Sequence, residues 1–177
     1  MRLFVALDLP EAVRDRVAQL AYGLPGARLI PSEQLHLTLS FLGDVNEDRL
    51  PDIKERLAAI DVPLFSLQLK GVGFFPPRKQ PRVVWVGVVA NIELNQLQAK
   101  VQSSLLSTGL YLEKRNFLPH ITLARLQNTP VSRVGRFLVQ YSLFMTPVFQ
   151  VRTFSLYSSV LNPKGAKHFV EQEYLLQ

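Results

Sequence analysis

The chain of 177 residues has no cysteine at all. That absence excludes disulfides and thiolate metal sites, and makes a reducing cytoplasm the expected setting. No apolar run approaches the ~20 residues needed to cross a bilayer as a helix, so no membrane association is expected. The opening Met1–Asp8 is too short, and too soon interrupted by Asp8, for a signal peptide; it reads as a first strand. Charged residues make up only 19%, and no long Lys/Arg block marks a disordered basic arm. Histidine is scarce too, with three in the whole chain.

Apolar residues, in contrast, make up 47%, enough to bury a core. The net charge of +6 and a pI of about 9.8 favour anionic partners, phosphates above all. Strand patterns are read over Arg2–Leu7, Leu35–Leu42, Phe65–Phe75, Arg82–Val89, Pro119–Arg125 and Val148–Leu161, with Lys167–Leu175 returning from the last as a hairpin. Helical spacing is read over Glu11–Leu20, from an N-cap at Asn46 to about Ile60, from Asn91 to Ser107, and over Pro130–Val139. The mixture, with connections too short for parallel crossovers, predicts an α+β fold built from antiparallel sheets. No linker or low-complexity stretch divides the chain, so residues 1–177 are expected to form one bilobal domain.

An internal repeat runs through it. Arg2–Leu7, Glu11–Leu20 and His36–Leu39 are matched in order by Arg82–Val88, Asn91–Ser107 and His120–Leu123. Each half ends on a His-x-Thr-Leu tetrapeptide, the two histidines 84 positions apart. Such a repeat predicts two lobes related by a pseudo-twofold axis, their histidines facing across a cleft.

Strict strand alternation assigns Leu35, Leu37, Leu39 and Phe41 to the core and His36, Thr38 and Ser40 to the opposite face. In the second motif Ile121 and Leu123 turn inward, and His120 and Thr122 outward. The same alternation puts Arg125 on the face opposite His120, unless the strand bends or ends there. One such histidine is ordinarily a satisfied, half-buried side chain. Two, at matching places in a repeat, point to chemistry. Imidazole titrates near neutrality, so one neutral ring can take a proton from water while a protonated partner gives one to a leaving oxygen. The two threonine hydroxyls can donate to the non-bridging oxygens of a phosphate, where charge gathers. Ser40 lacks an acidic neighbour to complete a nucleophilic triad. A metal site is poorly served by two histidines each followed by threonine, even with His168 as a third ligand. No metal or cofactor is therefore expected.

With these motifs in place, the chain resembles the two-histidine phosphoesterase superfamily, and within it the LigT-like RNA 2′,3′-cyclic phosphodiesterases, also known as 2′-5′ RNA ligases. The resemblance rests on Arg2–Pro10, His36–Gly43, Arg82–Gly87, Pro119–Arg125 and Phe154–Ser159. It implies a bilobal α+β fold with a cleft between antiparallel sheets. It implies hydrolysis of a terminal 2′,3′-cyclic phosphate on RNA to a 2′-phosphate, without metal, on RNA ends or cyclic nucleotides; no obligate protein partner is evident from the sequence. It also implies roles: His36 as proton donor, His120 as proton acceptor, and Thr38, Thr122 and Arg125 as phosphate-binding residues. A reversible 2′-5′ ligase or phosphodiesterase would use the same pair, and a module that only binds nucleotide or RNA ends would keep the shape without turnover. Phe41, Phe74, Phe75 and Tyr157 are candidates to stack on a base or to fill the core. Arg78, Lys79, Arg82, Lys164 and Lys167 are candidates to meet RNA phosphates or to be solvated loop charges.

Overall fold

The computed structural model describes residues 1–177. Ten strands and four α-helices follow in order: β1 (Arg2–Asp8), α1 (Glu11–Ala18), β2 (Ala27–Leu29), β3 (His36–Asp44), α2 (Leu50–Ala58), β4 (Phe65–Leu67) and β5 (Leu69–Phe75). The second half adds β6 (Val83–Val88), α3 (Ile92–Leu106), β7 (His120–Leu126), α4 (Val131–Gln140), β8 (Phe149–Val151), β9 (Thr153–Asn162) and β10 (Gly165–Leu175). One sheet runs β10-β9-β1-β3 and the other β2-β7-β6-β5, with all pairs antiparallel. The expected α+β class with antiparallel sheets is what forms.

The repeat extends further than the sequence indicated. β1, α1, β3, α2, β4 and β5 of the first half answer to β6, α3, β7, α4, β8 and β9 of the second. Each half sends strands into the other's sheet. β5 pairs with β6 in the second sheet, and β9 pairs with β1 in the first. On the axis between them β4 pairs with β8, Ser66 opposite Gln150. Each half therefore completes the other's sheet. Two strands expected to be continuous are broken to allow this: Phe65–Phe75 divides at Gln68, and Val148–Leu161 at Arg152.

The helices cover the outer face of each sheet. Val13 and Val17 of α1, Ile53 and Leu57 of α2, Leu94, Leu97, Val101 and Leu105 of α3, and Val134 and Phe137 of α4 are buried. They join one core with Leu3, Val5, Leu7, Leu37, Leu39, Val84, Val86, Ile121 and Leu123 from the sheets. Burying each such side chain stabilises the fold by about 1.5–3 kcal/mol. Asn91 caps α3 as expected, its Oδ1 accepting from the Leu94 N–H at 2.9 Å. Asn46 makes no such bond; a 3-10 turn, Glu47–Arg49, leads into α2 instead, because Pro51 lies at the start of the helix. Helices take up the outer faces, so the opposite faces are left for the cleft, where β3 lies against β7.

Candidate active site

Both motif strands carry the same irregularity, and it decides which side chains reach the cleft. In β3, Val5 pairs with Ser40 but Ala6 pairs with Thr38, so Leu39 is an extra residue. In β7, Val84 pairs with Ala124 and Trp85 with Thr122, so Leu123 is the extra one. A bulge of this kind resets the alternation. Leu39 and Ser40 both point inward, as do Leu123 and Ala124. The strict two-residue assignment is therefore corrected at two places in β3. Ser40 is buried, its hydroxyl donating to Oε1 of Gln102 on α3 at 3.0 Å. Phe41, expected in the core, is 70% exposed and pairs directly with Phe4 on the histidine's face. In β7 the same step turns Arg125 outward, onto the face that carries His120 and Thr122. The bulge supplies the bend that alternation alone lacks at Arg125. Phe41 and Arg125 occupy equivalent positions, one in each lobe.

The two histidines are held alike. The Nδ1–H of His36 donates to the carbonyl of Gln34 at 2.7 Å, and that of His120 to the carbonyl of Leu118 at 2.6 Å. Each acceptor lies two residues upstream. A carbonyl can only accept, so Nδ1 carries the hydrogen in both rings and Nε2 is left to take or give a proton. In His36, Nε2 accepts from the Thr38 hydroxyl at 3.0 Å.

The surroundings differ. His36 stacks on Phe4 with ring centroids 4.9 Å apart, and Tyr157 stacks on the same Phe4 at 5.1 Å. His168 from β10 meets His36 edge-on at 5.4 Å and Phe4 at 4.9 Å. Burial pushes the His36 ring down to about 4; the Gln34 carbonyl opposes this, while the charges of His168 and His120 add to it. Burial also lowers His168. Burial, with Asp8 close by, pushes the Tyr157 phenol up to about 12. His120 instead meets Phe75 edge-on at 5.0 Å, with Trp85 at 6.1 Å. The Trp85 indole lies over Gly73: a Cβ there would stand 2.2 Å from Cζ2 of the ring.

Of the other candidates, Phe75 and Tyr157 flank the histidines, whereas Phe74 packs on the core. Arg78, Lys79, Arg82, Lys164 and Lys167 are exposed, and Lys167 lies over the Phe169 ring at 5.3 Å. Two surface hollows, one between the end of α1 and α4, the other beside Asp8 and Arg152, contain neither motif histidine. No group of three or more potential ligands gathers to hold a metal ion. Sequence reasoning missed Phe4, Trp85 and the closeness of His168 to His36. The last had a signal in the scarcity of histidine, since all three rings of the chain gather at one cleft.

The comparisons with known proteins follow the same outline. The family model for LigT like Phosphoesterase matches twice, over residues 7–85 and 86–168. Those segments begin at Leu7 and Val86, which hold equivalent places opposite Leu37 and Ile121. The RNA 2′,3′-cyclic phosphodiesterase of Archaeoglobus fulgidus is 38% identical over 93% of this chain and 94% of its own. That of Methanocaldococcus jannaschii is 29% identical over 98% of this chain and 100% of its own. Among solved structures, E. coli LigT complexed with 3′-AMP superposes with a TM-score of 0.80 at 26% identity, covering 99% of this chain and 97% of that one.

Proposed function

Since this chain belongs to the LigT-like phosphoesterases, we propose that it is an RNA 2′,3′-cyclic phosphodiesterase whose chemistry rests on His36 and His120. The observation that carries the reading is the matched tautomer of the two rings, each fixed by a carbonyl two residues upstream with Nε2 left for proton transfer. Water attacks the phosphorus of the cyclic ester in line with the 3′-oxygen. His120 takes the proton from that water as the new P–O bond forms. The bond to the 3′-oxygen breaks, and His36, protonated, delivers its Nε2 proton to that oxygen, leaving a 2′-phosphate. Thr38 and Thr122, each one residue over on the same face, donate to the non-bridging oxygens, and Arg125 adds a fixed positive charge. No step calls on a metal. RNA ends and cyclic nucleotides are the substrates, a cytoplasmic setting agrees with the missing cysteines, and residues 1–177 act as one bilobal unit.

Phosphorus NMR on 2′,3′-cyclic AMP tests this directly, because 2′- and 3′-phosphate products resolve from the starting ester. A 2′-phosphate is expected, unaffected by EDTA. His36→Ala and His120→Ala are each expected to lower kcat by ~10²–10⁴. Full turnover by the double variant would overturn the assignment. Tight binding without turnover would instead favour a module that only holds RNA ends.

A further inference from the structure

One row of side chains crosses the second sheet just beyond Thr122. Phe75 pairs with Val83, Val83 with Arg125, and Arg125 with Arg28 on the edge strand β2. Directly opposed residues of antiparallel strands share a face. Phe75 lies 5.0 Å from the His120 ring, so the whole row, both arginines included, stands on the histidine's face.

Two like charges directly opposed across a strand pair destabilise it. An ordinary surface relieves them with a carboxylate. Three ion pairs form in this protein, and none includes Arg28 or Arg125. Neither guanidinium donates a hydrogen bond to any protein group in the way that Arg49 does to Thr108. The hairpin between β9 and β10 comes down over the outer one: a Cβ on Gly165 would stand 3.1 Å from Nη2 of Arg28. Gln34, whose carbonyl holds His36, donates to the carbonyl of Ala166 in the same hairpin at 2.9 Å. Arg28 thus sits where the two lobes meet, one strand outside Arg125.

We propose that Arg28, one strand outside the Arg125 that faces the reacting phosphate, forms a second anion site for the phosphodiester that joins the terminal nucleotide to the one before it. The inference rests on the cyclic phosphodiesterase reading and adds a substrate class: RNA ends at least two nucleotides long, in preference to cyclic mononucleotides. Arg125 stands nearer the reacting phosphate and Arg28 farther out, so the pair spans from one phosphate toward the next. Guanidinium suits this, since its fork of donors matches two phosphate oxygens at once.

The test compares three substrates on the intact protein: a 2′,3′-cyclic mononucleotide, a dinucleotide ending in the same cyclic phosphate, and that dinucleotide with a neutral methylphosphonate link. The expected kcat/KM of the charged dinucleotide exceeds the other two by about tenfold, as one charge-assisted contact supplies. Arg28→Gln brings the dinucleotide down to the level of the mononucleotide and lowers the steepness of its salt dependence by roughly 0.7. Arg28 is exposed and its repulsion from Arg125 is relieved, so the variant stays folded with a Tm no lower than the parent's. Equal rates on all three substrates in the parent protein would leave the enzymatic reading standing and overturn the second site. So would an Arg28→Gln variant that keeps the full preference. Failure to open any of the three would sink the phosphodiesterase reading, and the inference with it.

Discussion

A proton donor at His36 has to be cationic when the leaving oxygen departs, yet burial holds the free ring down to about 4. In the proposed mechanism a bound phosphate would resolve the conflict, because its negative charge favours the protonated ring at the moment it is needed. NMR of the ring carbons is therefore expected to show His36 titrating near 4 in the free protein and markedly higher with inorganic phosphate bound; an unmoved titration would speak against the donor role. His168→Phe keeps a ring against Phe4 but removes a charge, and should raise the His36 titration as well. The same depression has a stability signature. Unfolded, the imidazole takes its proton near 6.5; folded, only near 4, so the unfolded chain binds more protons between those values. Stability is complete above about pH 6.5 and is lost as pH falls toward 4, on the order of 3 kcal/mol at about 1.4 kcal/mol per unit. Urea midpoints across that range, compared with those of His36→Gln, measure it; parallel profiles would contradict it.

At the scale of a strand, the sequence shows a great deal and then misleads at one step. The His-x-Thr spacing puts each imidazole and hydroxyl on one face, and that face is the cleft. Beyond Thr38 and Thr122, alternation fails, because nothing in Leu39 or Leu123 announces an extra residue. A bulge is set by what the neighbouring strand can pair with, here Ala6 and Trp85, and that lies far off in the chain. Ser40, Phe41 and Arg125 change sides for this reason alone. The bed of His120 offers a sharper experiment. Gly73 is needed where the indole of Trp85, the single tryptophan, lies across β5. Gly73→Ala should lift that ring toward solvent, red-shift its fluorescence and lower kcat several-fold, with unfolding still cooperative. Unchanged emission and activity would show that the ring does not brace His120.

Across the whole molecule, the class and the doubling of the chain were legible from composition and from paired motifs, while the exchange of strands was not. Phe65–Phe75 reads as one strand because its hydrophobic pattern runs straight through the break at Gln68. Only the pairings show that the chain leaves one half there: β4 turns to β8, and β5 goes on to join β6 in the other half's sheet. The exchange ties the stability of the lobes together. Trp85 reports on the second sheet and the His36 resonance on the first, so both should disappear at one denaturant midpoint, coincident with loss of far-ultraviolet dichroism. Two separate midpoints would mean that each sheet stands by itself.

The exchange also gives a single chain the form of a joined dimer. A chain of half this length, with one His-x-Thr strand and one outgoing strand, could complete neither sheet alone. Two copies could complete both, each lending the other its last strand around a twofold axis, with one shared imidazole pair between them. Joined in one chain, the two halves keep the strand exchange of a twofold-symmetric dimer without its separate subunits. Within one chain the equivalent places need not carry the same residue, as Phe41 in one half and Arg125 in the other show.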